Sequence, residues 1–462
     1  MDEITEEKQA IFDKGKLAGK YAWKLFPDGI DASNAEPYEA DKALRKTKEL
    51  ISAGCKTIYE AAFIYDGILC YMDILHRDSE GWKAIEVKGS TKLKDYYLDD
   101  TAVQYYVITN SGLDLADISV AYLNNKYVRQ GDIEPEKLFK IESVLHTAKE
   151  KQEEVSKNIE CFKQIISKKG IFDTDIGIYC LKPFVCDFFG HCWRHIPDHS
   201  VFNIENLYNR RKFDLYYKGI VDFEDIPEDC PLSESQRLQV KSHLNGLITR
   251  DKEKIRAFIS KLEYPLYFLD FESFQPVVPL YDQSRPYQQI PFQYSLHIRE
   301  KPGSGYQHVE FLSDGVTDPR PEFIESLIEN IKDSGSIVVY NKTFEKMILN
   351  HITRDFPQYS ERIKNIIQRI ADLMEPFKRK DYYTPDMEGS YSIKKVLPAL
   401  VPELKYDDLE ISDGTAASRA FETMIRLEES PEKNELKRNL LKYCKLDTWA
   451  MVKILEKIRE IS

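Results

Sequence analysis

The stretch Tyr264-Pro-Leu-Tyr-Phe-Leu-Asp-Phe-Glu-Ser-Phe274 is a run of apolar and aromatic residues broken by two carboxylates, Asp270 and Glu272. It reads as a buried strand that carries acid. Side chains two apart on a strand share a face, so both carboxylates leave a core strand side by side. Two such charges are poorly tolerated away from water unless a cation lies between them. Hard divalent ions such as magnesium take carboxylate oxygens and then face phosphate. The alternative is a strand end whose acids reach solvent, and the residues downstream decide between the two.

Downstream, Ser336-Ile-Val-Val-Tyr-Asn341 is a second short apolar strand that runs into Phe344-Glu345 at the start of a helix-patterned segment. Near the C-terminus, Asn434 to Ile461 is helix-patterned and holds Tyr443 and Asp447. Positions i and i+4 share a helix face, so this phenol and this carboxylate point into one site. A strand Asp-x-Glu, a later acid opening a helix, and Tyr-x-x-x-Asp on the last helix follow in that order. This set resembles the DEDD-type 3′→5′ exonucleases of the ribonuclease-H-like fold, in the subclass with tyrosine in its third motif. The resemblance implies that Asp270, Glu272, Glu345 and Asp447 hold two Mg2+ or Mn2+ ions roughly 4 Å apart, and that Tyr443 orients the attacking water. Glu345 stands where that pattern usually has Asp. The resemblance also implies a mixed sheet over 263–462, with Phe292–Ile298 and His308–Leu312 as strands and Arg320–Lys332 as a helix. Asp372 is a further acid near the expected site.

The 462 residues exceed one ordinary core, so two or more domains are expected. Charged residues at 31% beside hydrophobic residues at 42% describe a soluble protein. No apolar run reaches membrane-span length, and a beginning with Asp2, Glu3, Glu6 and Glu7 is no signal peptide, so the expectation is cytoplasmic, without a membrane. A net charge of -12 argues against indiscriminate coating of nucleic acid. Local clusters therefore matter more, among them Arg210-Arg-Lys212, Lys378-Arg-Lys380, and Lys437, Arg438, Lys442 and Lys445 on the last helix, each of which reads first as an ordinary solvated face.

In the N-terminal half, an amphipathic helix over Gln9–Phe26 precedes strand-like runs at Thr57–Tyr65, Ile68–His76 and Trp82–Gly89, with a turn at Asp66-Gly67. A helix over Tyr97–Thr109 and a strand over Ile118–Asn124 follow. Asp73 lies on the second strand, and Glu86 and Lys88 share a face of the third. Asp followed by Glu-x-Lys on a neighbouring strand resembles the PDDEXK nuclease core, in the RecB-like branch that includes CRISPR-associated exonucleases. There two acids hold a metal and the lysine steadies charge on phosphate, with Glu60 and Gln104 as secondary members. An ordinary exposed Glu-Lys pair is the bland alternative.

Cys180, Cys186 and Cys192 are evenly spaced in a loop-like segment. In RecB-like nucleases such a triplet joins one distant N-terminal cysteine around a [4Fe-4S] cluster. Here no cysteine precedes Cys55, so the expectation is either a chain N-terminally short relative to its relatives or a set completed by Cys55, Cys70, Cys161 or a histidine, with a Cys3His Zn2+ site with His195 as the physical alternative. Buried free thiols are the plain one. Beyond Glu272, the Pro- and Tyr-rich stretch 275–291 is expected at the lip of the metal site, where either its aromatics stack on unpaired bases or it forms an ordered, packed loop.

Taken together the chain is expected to be α/β: a PDDEXK restriction-endonuclease-like domain over 1–175, a cysteine module over 176–200, a helical connector over 201–262 and a ribonuclease-H-like domain over 263–462. It is similar to a bacterial family catalogued as a domain of unknown function, in which a RecB-like nuclease half precedes an exonuclease half. The strings that carry this likeness are Glu86-Val-Lys88, Cys186 to Trp193, Phe268 to Phe274 and Tyr443-Cys-Lys-Leu-Asp447. The resulting expectation is a metal-dependent 3′→5′ exonuclease on single-stranded ends of DNA or RNA, with a second nuclease site at Asp73, Glu86 and Lys88. Its rival is a catalytically decayed nucleic-acid-binding or scaffold protein.

Overall fold

Asp66 and Gly67 have φ of 52° and 78°, the two left-handed residues that a two-residue type I′ hairpin requires. They join Tyr65 to Ile68 as directly paired strand ends. The computed structural model describes residues 2–33, 40–170, 174–406 and 409–462. It divides into two compact units, one of residues Glu3–Asp175 with Pro276–Gln288, the other of Met1–Asp2, Ile176–Gln275 and Gln289–Ser462.

The first unit holds a six-stranded sheet of β1 (Ile30–Asp31), β2 (Thr57–Tyr65), β3 (Ile68–Arg77), β4 (Trp82–Lys88), β5 (Leu115–Leu123) and β6 (Phe139–Ser143), in that spatial order. β2, β3 and β4 form an antiparallel meander, while β4 pairs parallel with β5 across the connecting helix Asp95–Asn110. Alternate residues fill two cores. Ile58, Met72, Ala84, Ile118 and Val120 pack with Val107 and Ile108 of that helix, and Tyr59, Ile74, Ile85, Ala121 and Leu123 pack with Ala18 and Ala22 of the first helix, Glu6–Ala22. Residues 276–288 belong to this second core: Val277 and Val278 are buried in it, Arg129 donates to the Pro279 carbonyl at 3.1 Å, and Tyr287 donates to the Gly89 carbonyl. The stretch expected to flank Glu272 thus serves as packing for the N-terminal sheet.

The second unit holds a two-stranded pair, β7 (Thr249–Arg250) with β13 (Tyr382–Tyr383), and a five-stranded sheet. That sheet runs β10 (Gln307–Leu312), β9 (Ile290–Arg299), β8 (Leu266–Phe274), β11 (Ser336–Val339), β12 (Ile370–Asp372). β8 is central, antiparallel to β9 and parallel to β11. It starts at Leu266 because Pro265 has no N–H for the ladder. β11 stops at Val339, two residues before Asn341 turns to a φ of 75° and opens the helix Lys342–Asp355. Tyr267, Leu269 and Phe271 of β8 face a core with Phe323, Leu327, Ile348 and Ile352. The opposite alternation carries Asp270 and Glu272.

Both sheets are mixed, so the chain is a mixed α/β protein with one six-stranded and one five-stranded sheet. Among the described residues no helix is long and apolar enough to cross a membrane.

Candidate functional site

The period of two along β8 sets Asp270 and Glu272 beside one another, and the last helix, Pro431–Ile461, brings Asp447 to them. Each of the three offers an oxygen, and these oxygens all lie within 4.8 Å of one another, the one such group of His, Cys, Asp or Glu among the described residues. The helix is pinned over β9 by buried polar contacts. Gln293 donates to the Leu440 carbonyl at 2.9 Å, and the Thr448 hydroxyl meets Ser295 at 2.7 Å and His297 Nδ1 at 2.8 Å. These contacts set the rotation of the helix, and with it the placement of Tyr443 and Asp447.

Burial raises all three acids. Asp270 is held well above its ordinary range by burial and then by Asp447. Glu272 is raised by burial, then by Asp270 and Asp447, with Lys394 opposing. Asp447 is raised to about 6 by burial, with hydrogen bonds from Tyr406 and Tyr443 and the charge of Lys394 pulling the other way. The Tyr406 hydroxyl donates to Asp447 Oδ1 at 2.6 Å. Cys444 Sγ lies 3.7 Å from Asp270 Oδ2. Gly414 opens the helix Gly414–Met424 against Glu272, and a Cβ there would stand 3.5 Å from Oε2.

Glu345 sits in the first turn of the helix Lys342–Asp355, 1% exposed. It is outside the tight trio. Its Oε2 is buried without a hydrogen-bond partner, and its acidity is weakened by burial and then by Asp270. A buried, unpartnered carboxylate oxygen beside three crowded acids is the donor chemistry of a hard divalent cation. The all-oxygen set fits Mg2+ or Mn2+ and not a soft metal. Asp372 plays a different part: its carboxylate accepts from the amides of Asn341, Lys342 and Met374 at 3.0 to 3.1 Å. It ties the end of β12 to the start of the Glu345 helix.

In the first unit, Asp73 Oδ2 accepts from the Val87 amide at 2.6 Å, and Glu86 stands between Lys88 at 2.7 Å and Gln104 at 2.8 Å. Lys88 also donates to Asp100. Glu60 interrupts the β2–β3 register opposite Asp73 with a φ of 54°, a left-handed conformation uncommon for a residue with a Cβ. It is raised to about 7 by burial, then by Asp31 and Glu86. Burial and Glu86 raise Asp73. The acids share one face of this sheet, but less tightly than the trio in the second unit.

The cysteines are not brought together among the described residues. Cys180 is buried and accepts from the Gly177 amide, Cys192 packs at the edge of the same small core, and Cys186 is exposed. His195 Nδ1 donates to the Cys192 carbonyl at 2.9 Å, which leaves the lone pair on Nε2, where it meets the Tyr216 hydroxyl at 3.0 Å. Of the residues at the acidic site, Lys394, Tyr406, Cys444 and Gly414 escaped the sequence reading. Only Cys444, between Tyr443 and Lys445, sat inside a motif.

Residues 267–392 match the family described as "Domain of unknown function (DUF2779)". The match spans Asp270, Glu272 and Glu345 and ends before Tyr443 and Asp447. The chain is 27% identical over 221 residues to the "Uncharacterized protein MG366 homolog" of Mycoplasma pneumoniae, covering 44% of this chain and 33% of that protein. It is 29% identical over 221 residues to "Uncharacterized protein MG366" of Mycoplasma genitalium, with the same coverage. It is 27% identical over 223 residues to "Uncharacterized protein UU173" of Ureaplasma parvum, covering 42% and 31%. The chain thus spans about a third of the length of the curated relatives it matches. No solved structure matches it. What the comparisons establish is a central segment similar to a domain of unknown function, within a chain distantly related to these mycoplasma and ureaplasma proteins.

Proposed function

We propose that the second unit is a metal-dependent 3′→5′ exonuclease of the DEDD type, built on a ribonuclease-H-like sheet and acting on single-stranded nucleic-acid ends. The observation that carries this reading is the buried trio Asp270, Glu272 and Asp447 with its oxygens within 4.8 Å. Asp270, Glu272, Glu345 and Asp447 hold Mg2+ or Mn2+, which when bound offset the four buried charges and supply Lewis acidity toward a phosphodiester. Tyr443, already bonded to Asp447, orients the attacking water for in-line displacement. Lys394 adds positive charge facing Glu272 and Asp447, where it can attract the scissile phosphate.

A second site in the first unit is favoured by Lys88, which bridges Glu86 and Asp100. With Asp73 and Gln104 it forms the constellation of a PDDEXK nuclease. A structural [4Fe-4S] or Zn2+ site at the cysteines belongs to this proposal, and it requires the thiols of Cys180, Cys186 and Cys192 to be drawn together.

End-labelled single-stranded DNA and RNA in Mn2+ test both sites. Loss of 3′-end shedding in Asp270→Ala but not in Asp73→Ala is the expected result. Loss only in Asp73→Ala moves the activity to the first unit. An inactive intact protein leaves the scaffold reading.

A further inference from the structure

A cavity against the last helix is lined by His297, Leu409, Lys442, Lys445, Leu446 and Trp449 and holds about 400 Å3, within the ~300–1,000 Å3 of small-ligand clefts. A second cleft of about 650 Å3 is lined by Lys394, Pro398, Lys405, Tyr406, Leu409 and Ser412. Leu409 walls both. The described lining residues include four lysines, in a chain whose net charge is -12.

We propose that the first cavity binds an unpaired nucleobase of a single-stranded nucleic acid against Trp449, and that the strand's phosphates follow the lysines past Leu409 toward Asp447. This deepens the exonuclease reading and rests on it, since it identifies where the substrate lies outside the metal centre.

The last helix makes the two places adjacent. Lys442, Leu446 and Trp449 recur at four and three residues and form one stripe, while Tyr443 and Asp447 form the next, about a quarter turn away. Trp449 is half-buried, with the Tyr306 ring edge-on at 5.6 Å, the tilted His297 ring at 5.3 Å and the Lys453 ammonium 4.9 Å over the indole, so a base would stack on the face away from Lys453. A fixed indole next to Leu446 and Leu409 is an apolar floor that accepts any base, because every base has a π-face. Lys442 and Lys445 are exposed at the rim, where they meet phosphate without burying charge. The cleft segment is itself tied to the helix, by Tyr406 on Asp447 and by Asn439 donating to Glu410. A strand held on Trp449 therefore passes along the helix to the acids. An apolar peptide would use the floor and not the lysines.

The test is fluorescence anisotropy of 5′-labelled oligo(dT) and oligo(U) in EDTA, where no cleavage occurs, using the full chain. Trp449→Ala is expected to weaken binding about tenfold, the effect of one lost base stack, and Trp449→Phe to restore most of it. Lys442→Glu with Lys445→Glu, at exposed positions that leave packing alone, is expected to weaken binding and flatten its salt dependence. Comparing the two oligonucleotides separates DNA from RNA. If the intact protein binds neither, or if both the Trp449→Ala and the double lysine variants bind as the intact protein does, the proposal falls. Trp449-dependent binding without nucleotide release in Mn2+ keeps the proposal and removes the exonuclease reading. Nucleotide release with kcat/KM unmoved by these substitutions does the reverse.

Discussion

Asp447→Asn in the metal-free protein is expected to raise stability, not lower it. Asp447 is raised to about 6 by burial, from an ordinary value of 3.8. A carboxyl whose folded pKa lies above its unfolded one holds its proton more tightly when folded. Its contribution is therefore lost as pH rises from about 4 to about 6, and above that it is a constant penalty. The difference of about two units is worth about 3 kcal/mol. Asn still accepts from Tyr406, although a neutral acceptor gives up about 1 kcal/mol of that hydrogen bond. The net gain is about 2 kcal/mol at pH 7.5, near 5 °C in the Tm of a unit this size. The gain should fade toward pH 4.5, where the wild-type acid is largely protonated in the fold. Calorimetry in EDTA at the two pH values reads this directly. Mn2+ at a hundred times its Kd should add about 2.7 kcal/mol to the wild type and much less to the variant. A variant that melts below wild type at pH 7.5, a gap that does not change with pH, or a wild type indifferent to Mn2+ would each refute the reasoning.

Thr448→Val removes the hydroxyl that meets both Ser295 and His297. It should cost about 2 to 3 kcal/mol in urea unfolding and lower 3′-end activity through the loosened last helix. Tyr406→Phe removes the donor to Asp447, and a Mn2+ titration of cleavage should show about a tenfold loss with little change in KM for the oligonucleotide. Lys88→Met leaves Glu86 and Asp100 without their shared cation, and should lower the first unit's urea midpoint by the equivalent of about 3 kcal/mol while 3′-end shedding persists. Gly335→Ala should yield mostly insoluble protein: the residue sits at a φ of 93° and a Cβ would overlap the Pro265 carbonyl oxygen, a strain of about 3 kcal/mol or more. A soluble variant with wild-type Tm would count against the packing described for the start of β8.

Where a local period was enough, the sequence was decisive. Alternation along β8 put Asp270 and Glu272 on one face whatever the partner strands, because the pleat repeats every two residues. The helical repeat likewise set Tyr443 and Asp447 on one face, and the two are hydrogen-bonded. Asp66-Gly67 specified its hairpin because few residue pairs tolerate two left-handed conformations.

Partnership between distant segments was another matter. That Asp447 closes the trio while Glu345 stays apart with an unpartnered oxygen depends on how the last helix and the Glu345 helix pack on the sheet. Lys394 is a polar position of a short amphipathic helix, Ile393–Leu400, and Tyr406 lies outside any helix or strand, so only packing reveals that they face Asp447. Residues 276–288 follow Glu272 in sequence but are buried with the N-terminal sheet, because two adjacent valines among prolines and tyrosines do not say which core they enter. Cysteine spacing fixed the reach between Cys180, Cys186 and Cys192 but not the direction of their sulfurs, which the aromatic packing around Trp193 and Phe213 governs. The sequence determined faces, and the tertiary structure determined which faces meet, since a face is a property of local backbone geometry and a meeting is a property of the whole packed core.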